Sequence, residues 1–185
     1  MGYIYVQPIG DLDKSIVEVT AEMVEKILNI RLKILPHIEG PTYAFDPMRM
    51  QYHSTKILKY IVTNHNSSAF RTVGITDVDL FIPILTYVFG EAQLDGRAAI
   101  VSTARLRQEF YGLKYDRNLL IERLTKETLH ELGHTFGFTH CELEHCVMHL
   151  SNKVADVDQK TDKFCANHQF QLNKKLSELE MQNES

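Results

Sequence analysis

His130-Glu131-Leu132-Gly133-His134-Thr135-Phe136-Gly137-Phe138-Thr139-His140-Cys141 is the stretch on which the reading of this chain turns. On an α-helix, residues four apart sit about one turn on and roughly 40° round, so His130 and His134 project from one face and reach a single ion. A catalytic zinc takes three protein ligands, imidazole nitrogens at about 2.0–2.1 Å, and keeps a fourth position open. Gly137 tolerates positive φ, which predicts that the helix ends there and that the chain turns back to deliver His140 as the third ligand. Glu131 follows His130 by about 100° of helix rotation, so its carboxylate falls beside the metal, within reach of a coordinated water. Its expected role is general base, then proton carrier to the leaving amine. Zinc lowers the pKa of such a water towards about 7, which makes a nucleophile available at neutral pH. A bare His-Glu-x-x-His also occurs on ordinary polar helix faces; Gly137 and His140 in register set this one apart.

A second constellation begins at the next residue. Cys141, Cys146, Cys165 and His168 are soft donors in a paired arrangement that suits a closed, four-coordinate structural zinc. His145 and His149 are alternatives to His168 as the fourth ligand. Because Cys141 adjoins His140, this second zinc would brace the loop that presents the third catalytic histidine. The expectation is two zinc ions per chain, one catalytic and one structural.

The string from His130 to His140, followed by Cys141, Cys146, Met148 and a late cysteine, resembles the archaemetzincins, zinc peptidases of the metzincin clan. At motif level the resemblance covers roughly the last third of the chain, and the order of elements extends it weakly to the rest. It implies a metal-dependent peptidase with Glu131 as general base, a cysteine-bound second zinc, and Met148 as the Met-turn residue beneath the catalytic metal. The chain departs from the family pattern in the second cluster. It has Cys165-x-x-His168 where the family has Cys-x-x-Cys, and the spacing from Met148 to Cys165 is one residue shorter. Leu150 stands where some metzincins carry a Tyr ligand, so no fifth ligand is assigned.

The 185 residues suffice for one compact domain, read as a single catalytic domain over 1–185. Residues 1–137 would form an upper subdomain with the sheet and active-site helix, and 138–185 a lower one with His140, the Met-turn and the structural zinc. A net charge of -4 without basic runs leaves no electrostatic footprint for nucleic acid or an anionic membrane. The first ten residues lack the basic start of a signal peptide, Val6 fails the myristoylation pattern, and no apolar run approaches twenty residues. Three cysteines at metal spacing suit a reducing compartment. These readings give a cytoplasmic monomer that acts on a peptide or protein substrate, with no nucleic-acid and no membrane partner.

Periodicity predicts a strand over Tyr3–Ile9, a helix over Ser15–Asn29, a strand over Ile30–Leu35 and a helix over Gln51–Asn64. Strands follow over Val73–Ile82, Tyr87–Leu94 and Ala98–Ala104, the last two joined at the hairpin signal Asp95-Gly96. A long helix starts near Asp116 or Asn118, with Ile121, Leu129, Leu132 and Phe136 on the side away from His130 and His134. A last helix runs from Asn167 to about Met181 with the stripe Leu172, Leu176, Leu179. The fold class is α/β (α+β): a twisted mixed β-sheet backed by helices, a long zinc-binding active-site helix, and a small irregular C-terminal part ending in a helix. This is the arrangement that the metzincin resemblance implies, and on that analogy Tyr87–Leu94 is the sheet edge above the cleft, where an extended peptide would add by backbone hydrogen bonds. His37, His53 and His65 receive no role. Asp77 and Asp79 read as a solvated or loop-capping pair, and Arg105 and Arg107 as exposed or in contact with a substrate carboxylate.

Zinc-dependent hydrolysis of a peptide bond is the function these residues favour. The alternatives are a zinc hydrolase for a non-peptide amide, one confined to amino-terminal residues, and a zinc-stabilised binding module of low activity.

Overall fold

The apolar run of the first strand is buried on both faces, which requires helices above and below it, and the fold supplies them. In the computed structural model, residues 3–64 and 70–183 are described, with side chains to residue 178. Strand β1 (Ile4–Ile9) lies between β2 (Leu32–Ile34) and β5 (Arg71–Thr76), parallel to both. The crossover from β1 to β2 is α1 (Lys14–Leu28), capped at its start by Asp13, whose carboxylate accepts from the Ser15 N–H, and at its end by Asn29 at φ 54°. Beyond β5 comes β8 (Ala98–Ser102), parallel, and then β7 (Gly90–Ala92), antiparallel, giving the order β2-β1-β5-β8-β7.

Side-chain alternation divides the core between the two faces. Val73, Ile75, Ala99 and Val101 pack with α1 and with α3 (Arg117–Thr135) on one face. Ala98 and Ile100 meet Ile57, Leu58 and Ile61 of α2 (Ser54–Thr63) on the other. Each valine, leucine or isoleucine among them contributes about 1.5–3 kcal/mol on burial.

Several expected elements are shorter or divided. The Val73–Ile82 strand breaks at Asp77, because Leu80–Phe81 is a separate strand, β6, in a second sheet with β3 (Phe45–Asp46) and β4 (Gln51–His53), ordered β3-β4-β6. Asp79 causes the change of direction: both its oxygens bind Arg105, at 2.6 and 2.8 Å, and Gln51 Nε2 donates to it at 2.9 Å. The helix expected from Gln51 therefore begins at Ser54. The Tyr87–Leu94 strand contracts to Gly90–Ala92, since Val88 already pairs with Leu80 of the second sheet. The hairpin has Asp95 at φ 52°, within a loop longer than two residues: Gln93 N donates to Ala98 O.

The long helix α3 differs most from its expectation. Asp116 caps it, accepting from Leu119 N at 3.0 Å, but its burial does not stop at one apolar face. Arg123, Lys126 and Glu127 are buried too, because a helix not anticipated from sequence, α4 (Val154–Gln159), packs across them. Arg123 grips Asp158 with two bonds of 2.7 Å, and Lys126 Nζ donates to Val157 O at 3.2 Å. The chain then closes with α5 (Ala166–Asn183), whose Leu172 is fully buried. His65 lies outside the described residues, as does the side chain of Leu179.

Candidate active site

The end of α3 is a Schellman turn: Phe138 N donates to Gly133 O at 3.1 Å and Gly137 N to His134 O at 2.9 Å. Gly137 sits at φ +89°, the left-handed region that an L side chain enters at a cost, so the glycine makes the reversal possible. The reversal brings His140 back against the helix, with its ring centroid 5.3 Å from that of His130 and 4.9 Å from that of His134. One nitrogen from each of the three rings lies within 4.8 Å of the others.

The hydrogen bonds of these rings decide which nitrogens are free. His130 Nδ1 lies 2.9 Å from Val147 O and His134 Nδ1 2.7 Å from Phe138 O. A carbonyl only accepts, so each Nδ1 carries the proton and each Nε2 presents its lone pair. Those two Nε2 atoms are 3.1 Å apart, with no proton between them. Two lone pairs converging like this call for a cation, and tetrahedral zinc with about 2.0–2.1 Å bonds sets its nitrogens about 3.3 Å apart. Burial disfavours the imidazolium at all three: His130 is held well below the usual range, by desolvation first and the Lys160 ammonium second, and His134 and His140 are lowered chiefly by desolvation. Neutral imidazole is the form that binds a metal.

Glu131 is buried against the edge strand. A Cβ on Gly90 would stand 2.6 Å from Glu131 Cγ and 2.7 Å from Glu131 Oε1, so only glycine lets β7 run this close to the carboxylate. Burial, reinforced by Glu127 and Glu91, raises its carboxyl well above the ordinary value. Both walls open on a cleft of about 540 Å³, bounded by Leu85–Ala92 above and Leu150–Asn152 below, with His130, Glu131, His134 and His140 between them. The lips meet where the Tyr87 hydroxyl donates to Asn152 O at 2.6 Å. Under the helix, Met148 is fully buried; a Cβ on Gly133 would lie 2.3 Å from its Sδ.

Behind His140, the second cluster gathers Cys141, Cys146, Cys165 and His168, their donor atoms within 4.8 Å of one another. His168 Nδ1 is 3.5 Å from Cys146 Sγ and 3.4 Å from Cys165 Sγ, and Cys141 Sγ is 4.0 Å from Cys165 Sγ. A zinc tetrahedron with bonds of about 2.3 Å to sulfur has edges of about 3.8 Å between sulfurs and about 3.5 Å from sulfur to nitrogen. The donor set fits that ion, whereas 4.0 Å is far too long for a disulfide. Burial pushes the Cys146 thiol up to about 11. At Cys165 burial acts in the same direction but is outweighed by hydrogen bonds from the His168 and Asn167 backbone and from neighbouring thiols, and the thiol is lowered. The alternative fourth ligands are not gathered with the cluster: His149 has its Nδ1 2.9 Å from Cys141 O, and His145 is exposed.

The other residues singled out lie elsewhere. Arg105 is not free for a substrate carboxylate: Asp79 holds it, between the rings of Tyr87 and Phe110. His53 packs on Phe81, and His37 bonds to Gly10 O. What sequence reasoning missed is the pair Glu127 and Lys160, 2.7 Å apart and buried beside His130. Glu127 shares the helix face of His130 and Glu131, a spacing that could have drawn notice; nothing local points to Lys160.

Comparison with known proteins gives this geometry its context. Residues 3–174 match the sequence profile of Peptidase family M54. The archaemetzincin of Methanocaldococcus jannaschii is 41% identical over 162 residues, 88% of each chain. The crystal structure of archaemetzincin from Archaeoglobus fulgidus, complexed with malonate, superposes with a TM-score of 0.80 at 36% identity, covering 91% of this chain and 99% of that one. A zinc-dependent peptidase from Methanocorpusculum labreanum superposes at 0.82 with 28% identity, again over 91% and 99%. The chain belongs to the archaemetzincin family of zinc metallopeptidases.

Proposed function

We propose that His130, His134 and His140 hold a catalytic zinc and that Glu131 is the general base of peptide-bond hydrolysis in the cleft. The observation that carries this reading is the convergence of two unprotonated Nε2 atoms, 3.1 Å apart, beside a buried carboxylate. When bound, zinc supplies Lewis acidity that makes a water nucleophilic near neutral pH and polarises the substrate carbonyl. The protein does the rest. Val147 O and Phe138 O orient two of the imidazoles and fix their tautomers. Glu131 takes the proton of the attacking water and returns it to the leaving nitrogen. β7 supplies the peptide dock: Phe89 O and Gln93 N bond to β8, so by alternation Gly90 and Ala92 turn their N–H and C=O groups outward along the cleft.

A second zinc, held by Cys141, Cys146, Cys165 and His168, completes a count of two, supported by donor spacings that match a closed tetrahedron. Met148 under Gly133 serves as the Met-turn floor. The chain acts as one catalytic domain, residues 1–137 above the cleft and 138–185 below it, and works as a cytoplasmic monomer without a nucleic-acid or membrane partner. In support, the three cysteines are unbridged, the net charge is -4, and no described helix is long and apolar enough to cross a membrane. Glu131→Gln tests the central assignment: zinc content stays at the parent level while turnover of a peptide library falls by on the order of 10²–10⁴-fold. Full activity in that variant would remove Glu131 from the mechanism.

A further inference from the structure

One hydrogen bond crosses the mouth of the cleft. The Tyr87 hydroxyl donates to Asn152 O at 2.6 Å, and these two residues line opposite walls. Among the described residues no other hydrogen bond joins Leu85–Ala92 to Leu150–Asn152. Both partners are braced from behind. The Arg105 guanidinium lies 4.1 Å from the centroid of the Tyr87 ring, and the Phe89 ring meets it edge-on at 5.5 Å. Arg105 is itself fixed by its two bonds to Asp79 and by the Phe110 ring at 4.6 Å. On the other lip, the Asp156 carboxylate accepts from Asn152 N at 2.9 Å and from Lys153 N at 3.1 Å, which anchors that lip to the start of α4. Ordering a side chain at a loop costs conformational entropy, and here the surrounding contacts have already met that cost on both sides of the bridge.

The bridge stands on the path of the substrate. Gly90 abuts Glu131, which marks the place of the scissile bond, and Tyr87 lies three residues upstream on the same rim. Extended chain rises about 3.3 Å per residue, so the bridge is about 10 Å along the rim from the reacting bond. A peptide added to β7 meets it after about three residues on that side. A shorter chain fits beneath the bridge, whereas a longer one has to break it. We propose that Tyr87 is a specificity-determining residue: its bond to Asn152 O limits how far a substrate extends from the scissile bond in that direction. Arg105 and Asp79 are positioning residues that hold the ring in place. This rests on the peptidase reading and deepens it.

The competing explanation is that the bridge only stiffens the lips, in which case its loss would change all peptides alike. The experiment lengthens one peptide residue by residue, first on one side of the scissile bond and then on the other, and compares the parent with Tyr87→Phe, which keeps the ring against Arg105 and Phe89. In the parent, kcat/KM is expected to fall by about 3–10-fold, the equivalent of one neutral hydrogen bond, once the chain passes about three residues on one side only. Tyr87→Phe removes that fall and leaves the shorter peptides unchanged. The same length series is read as Kd by calorimetry in a Glu131→Gln background, with and without Tyr87→Phe, independently of turnover. A parent without length discrimination on either side, or the same long-to-short ratio in Tyr87→Phe, would overturn the proposal. Peptides that bind with the expected length limit but are never cleaved would count against the peptidase reading and uphold the role of Tyr87; peptides that do not bind at all would overturn both.

Discussion

The two donor clusters share one loop yet are built in opposite ways. The three-imidazole centre stands on a 19-residue helix and one turn, faces a cleft, and leaves His140 exposed. The Cys3His centre is drawn from loop residues and the first turn of α5, with Cys146 and His168 buried. Where regular structure holds the donors, a metal would be free to be a reagent; where little regular structure exists, a metal would have to serve as the core. The stretch from Phe138 to Lys153 contains no helix and no strand longer than a bridge.

That contrast can be broken in a graded series. The largest effect is expected from Cys146→Ser, which should unfold the segment beyond Gly137 and release zinc, because structural zinc sites contribute on the order of 10–16 kcal/mol to folding in small domains. His134→Ala should instead lose activity with the fold intact. Circular dichroism and zinc counting on both variants test the distinction, and an equally folded Cys146→Ser would erase it. Next comes Gly90→Ala, whose Cβ would meet both Glu131 and Ile100 O at 2.6 Å. Displacing the carboxylate by about 1 Å should lower kcat by about 100-fold with zinc content unchanged. Gly137→Ala should cost about 1–2 kcal/mol by forcing an L residue to φ +89°, read as a lower Tm with weaker retention of the catalytic zinc. The gentlest effect is on pH. His130, His134 and His140 titrate below 6.5 when folded, so in metal-free protein the unfolded chain binds more protons as pH drops past 6.5. Stability is therefore complete above that value and declines below it; a Tm that rises on acidification through 6.5 would contradict the burial argument.

The sequence made the two centres legible for different reasons. His130, Glu131, His134, Gly137 and His140 fall within one helix and its C-terminal turn, so local geometry places all of them. The cysteine cluster was visible because few other arrangements of Cys141, Cys146 and Cys165 make chemical sense, although His168 could be told from His149 only once its ring was seen gathered with the three thiols. What lay hidden depended on contacts between distant residues. Asp79 turning the chain through Arg105 carries no local signal, and neither does Lys160 meeting Glu127 across α4. Polar residues at buried positions of α3 look solvated in a periodicity plot until their partners are in place.

The peptide bond between His140 and Cys141 belongs to both centres at once. Cys141 N is held by Met148 O at 2.9 Å, so the segment that would offer an imidazole to one ion is closed beside the thiols that would hold the other. An ion in the cysteine cluster would restrict the freedom that His140 otherwise surrenders on coordination; the two binding equilibria would then be positively linked, and by reciprocity the catalytic ion would tighten its neighbour by the same factor. Such linkage would disfavour singly loaded chains, so a shortage of zinc would leave filled and empty molecules rather than half-loaded ones.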